Sequence, residues 1–496
     1  MLGARFIAAS AVAVTILGLR IGLARAAELE RYDALANSPM AENRPTPETS
    51  QLLKDELLFQ RATQTYLWAL PLINTLGMKV GSEKAFGAGY HVLPVWKKQL
   101  DAQTLVTTQN SDVIYAMSYL DLGKDGPMVF EAPPGLQGIL LDFWQRPIPG
   151  PVIGENSYFG DVGLPGPDGG KGGKFLLLPP GYEKPVPAGF FVYRSGTNNV
   201  FVFLRSFYQD PGNLHPAVAL MEAAKIYPLE SGGNAKPMQY PDASGVAVNM
   251  LPISDAGGFD QLKQLVDREE DNLADPDWRG MLAALGIVKG QPFNPDTRTR
   301  AILDRAAKTA YKMSRVVGFE EVVTGRNFRI YPDRRWVNPI ADGTPANPGG
   351  ALDLAWRRTA GGYLDLDARI WFFTDYYSIS PGMISQIPGR GAKYMVGFAD
   401  GGRTPLRRDQ LSPATACQHS SGQLLVADAL RGRERVGARQ RPAISLPRVP
   451  RQAGAEFGRL DRLVPRPATA RWQSEQLVGD SAGQRVLCDP APLQSD

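Results

Sequence analysis

The chain has 496 residues, 43% apolar and 21% charged, values that exclude a disordered polyelectrolyte and leave room for two or three domains, since single cores stop growing near roughly 250–300 residues. Its 52 glycines and 41 prolines suit many short strands better than a long helical bundle. The net charge of +4 sits in the first 26 residues (Arg5, Arg20, Arg25, no acid) and in the stretch from Leu406 on (14 Arg, no Lys, 9 acids); the body between is slightly acidic, which excludes nucleic acid and an anionic membrane as expected partners.

In chain order, Arg5 precedes an apolar run from Phe6 to Leu19, and Ala24-Arg25-Ala26 offers small residues at the positions a signal peptidase reads. Residues 1–26 are therefore expected to be an export signal cleaved after Ala26, giving a periplasmic or secreted protein. The run is shorter than the about 20 apolar residues of a spanning helix, so no stable membrane insertion is expected after its removal. Residues 27–46 read as a polar linker. Thr46-Pro47 then gives a cap followed by Pro at the first helical position, and Leu52, Leu53, Leu57 and Thr63 to Leu67 carry helical spacing to about Ala69, where Pro71 is expected to break the helix.

From Leu105 to Phe207 the pattern changes to short apolar or alternating runs bounded by Gly, Pro or Asn: Val113–Leu122, Met128–Ala132, Ile139–Trp144, Phe175–Leu178, Phe190–Tyr193 and Val200–Ser206. Such spacing predicts antiparallel strands in a sandwich or barrel, so residues 47–250 are expected to form an N-terminal helix plus a first β domain. Helical periodicity returns with Phe259, Leu262, Leu265 and Val266, then Met281–Leu285, then Ala301–Val317, making 251–350 a helical insert and linker. A second β domain is expected to begin in 351–405, where Leu354 to Met395 mixes a helical start with aromatic-rich runs such as Ile370-Trp371-Phe372-Phe373.

The candidate chemistry lies mostly in the first β domain. Asn110, Asp112 and Tyr115, at the entry to a strand, can present an amide, a carboxylate and a phenol to a pocket, or Asn110 and Asp112 can simply satisfy turn donors. Trp144 with Arg146, and Arg194 and Arg205 near strand ends, can hold an anionic or sugar-like ligand by stacking and forked hydrogen bonds, or pack a rim. The loop Gly169 to Lys174 lacks the glycine spacing, the Ser or Thr and the following helix of a phosphate loop, and reads as a hairpin loop. His91, His215 and His419 lie far apart, so no metal is expected, and no cofactor motif occurs. The cysteines, Cys417 and Cys488, both lie beyond Leu406, which leaves no thiol nucleophile in the body. Asp365, Asp367 and Asp375 can serve as acid/base carboxylates or hold a hard cation, although the Leu-Asp-Leu-Asp alternation more simply describes a solvated strand face.

The stretches Thr108-Gln109-Asn110-Ser111-Asp112-Val113-Ile114-Tyr115, Tyr119-Leu120-Asp121-Leu122 and Gly172-Gly173-Lys174-Phe175-Leu176-Leu177-Leu178-Pro179-Pro180-Gly181-Tyr182, helped by Leu364-Asp365-Leu366-Asp367-Ala368-Arg369, resemble the bacterial proteins that carry paired domains of unknown function 1254 and 1214. The resemblance spans roughly residues 48–400. It implies an exported α+β protein, mainly β, with two jelly-roll-like antiparallel domains, an N-terminal helix and intervening helices, and no agreed reaction.

Beyond Met395 there is no further Lys, Tyr, Asn or Met, while Arg, Ala, Gln and Pro become abundant and strand periodicity vanishes. Reading the same codons one base over permits aromatic, strand-like segments, so residues 406–496 are expected to be a frame-shifted tail that truncates the second β domain; an arginine-rich disordered segment is the alternative. The resulting expectation is an exported protein that binds a small polar or anionic molecule between two β domains, near Asn110, Asp112 and Tyr115. The alternative is a periplasmic hydrolase or lyase working through carboxylate and tyrosine groups, with a structural envelope protein third.

Overall fold

Thr46 opens the first long helix as the sequence predicts: its hydroxyl accepts the Thr49 N–H at 3.2 Å, Pro47 follows, and α1 runs Pro47–Trp68. The structure, a computed structural model, describes residues 30–107, 111–231, 234–269, 273–319, 336–337, 363–364, 366–384 and 396–397. The expected signal with Ala26, the site candidate Asn110 and the tail from 406 on lie outside them.

The helix does not end for good at Pro71. After Ala69 the chain re-enters helix as α2, Leu70–Phe86, with Pro71 in its first turn, where a missing N–H breaks no bond. Two glycines one turn apart let α2 lie directly on backbone. A Cβ on Gly77 would meet Leu251 O at 2.5 Å, and one on Gly81 would meet Asn249 O at 2.1 Å.

Six strands follow the predicted runs closely, and four more form where the sequence reading named none. They are β1 Val113–Asp121, β2 Met128–Ala132, β3 Gln137–Asp142, β4 Pro149–Ile153, β5 Asn156–Phe159, β6 Asp161–Val162, β7 Gly173–Leu178, β8 Phe191–Arg194, β9 Asn199–Phe207 and β10 Lys225–Pro228. They build an inner sheet of order β1-β9-β3-β6 and an outer sheet of order β8-β7-β2-β10, with β4-β5 as a separate hairpin. The sequence reading expects antiparallel pairing throughout, yet β7 and β8 are parallel, with Phe175 opposite Phe191. Residues 179–190 are a crossover long enough to return the chain to the same end, and their Tyr182, Val186 and Phe190 cover Val129, Leu176 and Leu178 on the outer face. The loop from Gly169 to Lys174 likewise crosses from the inner sheet to the outer and is no hairpin. The Asp168 carboxylate secures it by accepting Gly163 N–H at 2.8 Å and Gly172 N–H at 3.1 Å.

Both faces of the inner sheet are buried, and the side chains sort by size. Ile114, Ala116, Leu120, Val200, Val202 and Leu204 face the outer sheet and pack on Phe130, Phe175 and Leu177. On the other face Tyr115, Met117, Tyr119, Phe201 and Phe203 meet a layer of helices. That layer contains α1, α2, α4 Gly257–Arg268, α5 Pro276–Ala284, α6 Thr297–Phe319 and α7 Leu366–Asp375, while α3, His215–Glu222, packs on the sandwich. Phe259, Leu262 and Leu265 of α4 are buried there as their spacing predicts.

The aromatic run 370–373, placed by the sequence reading at the start of a second β domain, lies within α7. Trp371, Phe372 and Phe373 are all buried, and a helix covered on several sides shows no amphipathic period to distinguish it from a strand. Asp367 sits in its first helical turn and so alternates on no strand face. Among the described residues after Asn249, the strands are Trp336–Val337 and Val396–Gly397, which pair with each other.

Candidate functional site

The register of the inner sheet brings part of the sequence-derived set together. Arg205 in β9 stands opposite Tyr115 in β1 and Gln137 in β3, so all three project from the helix-facing side at one end of the sheet. Asp112 immediately precedes β1 at that end. It is half-buried, and burial raises its carboxyl above the usual range. Close by, the Tyr208 hydroxyl donates to Ser111 O at 2.6 Å and accepts from Gln99 at 2.7 Å; burial and the charge of Asp112 hold that phenol protonated.

The Arg205 guanidinium lies 5.0 Å from the centre of the Phe203 ring, and its Nη2 reaches Met383 Sδ at 3.6 Å, a weak acceptor. Its Nε is buried and has no hydrogen-bond partner. An opposite charge that feels Arg205 is Asp161 of β6, a residue the sequence reading did not single out. Its two oxygens are already engaged: Oδ1 accepts the Ser380 hydroxyl at 2.6 Å and Oδ2 the Gly382 N–H at 2.8 Å. Burial pushes the Asp161 carboxyl up to about 6, against the pull of those donors and of Arg205.

A row of rings runs from Arg205 along the sheet. Tyr115 stacks on Phe203 at 5.2 Å, Phe203 on Phe201 at 5.9 Å and Phe201 on Tyr119 at 5.1 Å, with Tyr377 edge-on to Phe203 at 5.4 Å. The Tyr119 hydroxyl at the far end is buried without a hydrogen-bond partner; burial raises its pKa well above the usual phenol value, with Tyr377 and Glu83 adding to it. The strap after α7 closes over this row. Ser378, at φ 55°, donates its N–H to Gln145 Oε1 at 2.7 Å, and Gln145, at φ 62°, donates to Asn74 and to Pro71 O, both at 3.2 Å. Two non-glycine residues in the left-handed region, bonded to each other, mark the strap as a strained and closely determined element.

The other sequence candidates lie elsewhere. Trp144 follows β3 at the opposite end of the inner sheet, edge-on to Trp68 at 4.9 Å, while Trp68 stacks on Trp278 at 4.6 Å. The buried Arg369 lies 5.3 Å over the Trp144 ring and donates to Trp68 O; burial, and then Arg146, pull its pKa down to about 9. Arg194 is exposed at the end of β8 in the outer sheet and ties the crossover by donating to Tyr182 O at 3.1 Å. A surface depression of about 620 Å³, lined by Asp255, Arg300 and Asp304, belongs to neither place, and its Arg300 is paired with Asp260. Among the described residues no three His, Cys, Asp or Glu side chains gather to hold a metal ion, and no helix is long and apolar enough to cross a membrane.

The fold is thus α+β, with a two-sheet β unit covered on one side by helices. Residues 91–228, which hold strands β1 to β10, match the family described as "Protein of unknown function (DUF1254)". This agrees with the first of the two domains the sequence resembles. A similar solved structure is the crystal structure of the VPA0106 protein from Vibrio parahaemolyticus, 17% identical with a TM-score of 0.36. The alignment covers 53% of this chain, which spans 59% of the length of that one. No curated protein matches.

Proposed function

We propose that the protein is exported and binds a small anionic molecule at the end of the inner sheet where Asp112, Tyr115 and Arg205 gather. The observation that carries this reading is the buried Arg205 Nε without a partner. A buried charged donor left unbonded costs on the order of 1–3 kcal/mol or more, and a carboxylate or phosphate oxygen offsets that cost through a short, charge-assisted bond. Asp161 lends Arg205 a favourable field without occupying its donors.

Thermal shift of the full chain against acetate, benzoate, phosphate and glucose tests the reading, with Arg205→Gln as the variant and Arg194→Gln as the control. Anions stabilise the natural chain and the control and leave Arg205→Gln unmoved. Stabilisation by glucose alone, or by nothing in the panel, removes the proposal. A hydrolase or lyase reading draws on Asp161, whose carboxyl burial pushes up to about 6, toward the range an acid/base group uses. Its two engaged oxygens favour binding over chemistry. With the proposal go a signal ending at Ala26, a second β domain from residue 351 that pairs with the first as in the 1254/1214 proteins, jelly-roll form for both, and a frame-shifted tail from Leu406. Sequencing the coding DNA across Leu406 tests the last of these.

A further inference from the structure

The Arg205 Nε and the Tyr119 hydroxyl are two buried polar atoms without partners on the same face of the same sheet. They stand at the two ends of one row of rings. Arg205 is opposite Tyr115, and Tyr119 is four residues further along β1. Four residues of extended strand span about 13 Å; taking off a hydrogen bond of about 2.8 Å at each end leaves about 7 Å between the polar ends of whatever satisfies both atoms. Between them lie the rings of Phe203 and Phe201, which offer stacking and no hydrogen bonds, with Tyr377 edge-on to Phe203. The chain already seats one phenol there, the Tyr377 side chain, held edge-on to Phe203 by a strap that a few polar bonds fasten: Ser378 to Gln145, and Ser380 and Gly382 to Asp161.

We propose that this row takes an elongated aromatic carboxylic acid with a hydroxyl at its far end, the carboxylate on Arg205, the ring over Phe203 and Phe201 in place of Tyr377, and the hydroxyl on Tyr119. The inference rests on Arg205 as the anion site of the preceding proposal and adds the body and the far end of the ligand. The ligand exchanges one phenol for another, so the apolar contacts of the row are kept while both orphan atoms gain partners. The strap must swing aside for the exchange, so weakening its fastening favours the bound state.

Isothermal titration of the full chain with trans-4-hydroxycinnamate, trans-cinnamate and acetate decides the matter. The natural chain prefers the hydroxylated acid to cinnamate by about tenfold, the size of one hydrogen bond. Tyr119→Phe abolishes that preference while keeping the affinity for cinnamate; it deletes an atom that bonds to nothing, so folding is not at risk. Ser380→Ala tightens both aromatic acids, and Arg205→Gln loses all three ligands. Arg205-dependent binding of the acids with no hydroxyl preference, or with a preference that survives Tyr119→Phe, overturns this inference and leaves the preceding proposal standing. Failure of every acid to bind overturns this inference, and the preceding proposal falls with it when phosphate fails to stabilise the chain as well.

Discussion

The Asp161 carboxylate accepts the Ser380 hydroxyl at 2.6 Å across 219 residues of sequence, and this bond ties the strap after α7 to the short edge strand β6. Burial holds the Asp161 carboxyl at about 6 against an ordinary 3.8, so the folded state binds a proton in the window between those values that the unfolded chain has released. The contribution of Asp161 is therefore most favourable below pH 3.8 and is lost as pH rises through 6. Urea unfolding between pH 4.5 and 6 is expected to lose about 1 kcal/mol per pH unit more in the natural chain than in Asp161→Asn. Parallel slopes in the two proteins contradict the assignment.

Glu269 ends α4 with its carboxylate buried against the turn before β9, accepting Asn198 N–H at 2.5 Å, Asn199 N–H at 2.9 Å and Asn199 Nδ2 at 2.6 Å. Glu269→Ala leaves three buried donors unmet and is expected to cost about 3 kcal/mol or more in chemical denaturation. Glu269→Gln keeps one acceptor and costs roughly half as much.

Helix propensity alone says that replacing Gly81 in α2 by alanine stabilises by about 1 kcal/mol. The contact says the opposite, because the new Cβ would lie 2.1 Å from Asn249 O and neither backbone can yield cheaply. Gly81→Ala is expected to lower stability by about 2 kcal/mol, and a rise in the melting temperature would show that α2 does not seat on that backbone.

At Gly382 a Cβ would meet Asp161 Oδ1 at 2.6 Å and Pro165 at 2.7 Å. Gly382→Ala should loosen the strap locally without unfolding the sheets, read as faster limited proteolysis within residues 376–384 at an unchanged circular dichroism spectrum.

Six of the ten strands were legible because each run is bounded by turn residues; Met128–Ala132 appears with the limits the sequence predicts. The parallel β7-β8 pair was not, since alternation is the same whichever way a neighbour runs. At the site, Asp112, Tyr115 and Arg205 stand out as polar or charged groups at strand ends, and the pairing register gathers them. Asp161 escaped because its strand has two residues, too few for any period, and its partners come from the far end of the chain. Trp144 and Arg194 show the converse limit: residue type suggested a ligand, but nothing local says which sheet or which end a side chain will occupy.

The sorting of the inner sheet by side-chain size has a consequence for dissection of the molecule. A fragment cut to residues 91–228 would keep the apolar interior between the sheets while stripping α1, α2 and α7 from Tyr115, Tyr119, Phe201 and Phe203. A continuous aromatic strip would then face water, a surface that recruits its own copies. The stretch that carries the family likeness is therefore not detachable: its solubility is lent to it by neighbours outside its own borders, and any excised version needs a substitute cover or a polar resurfacing of that strip.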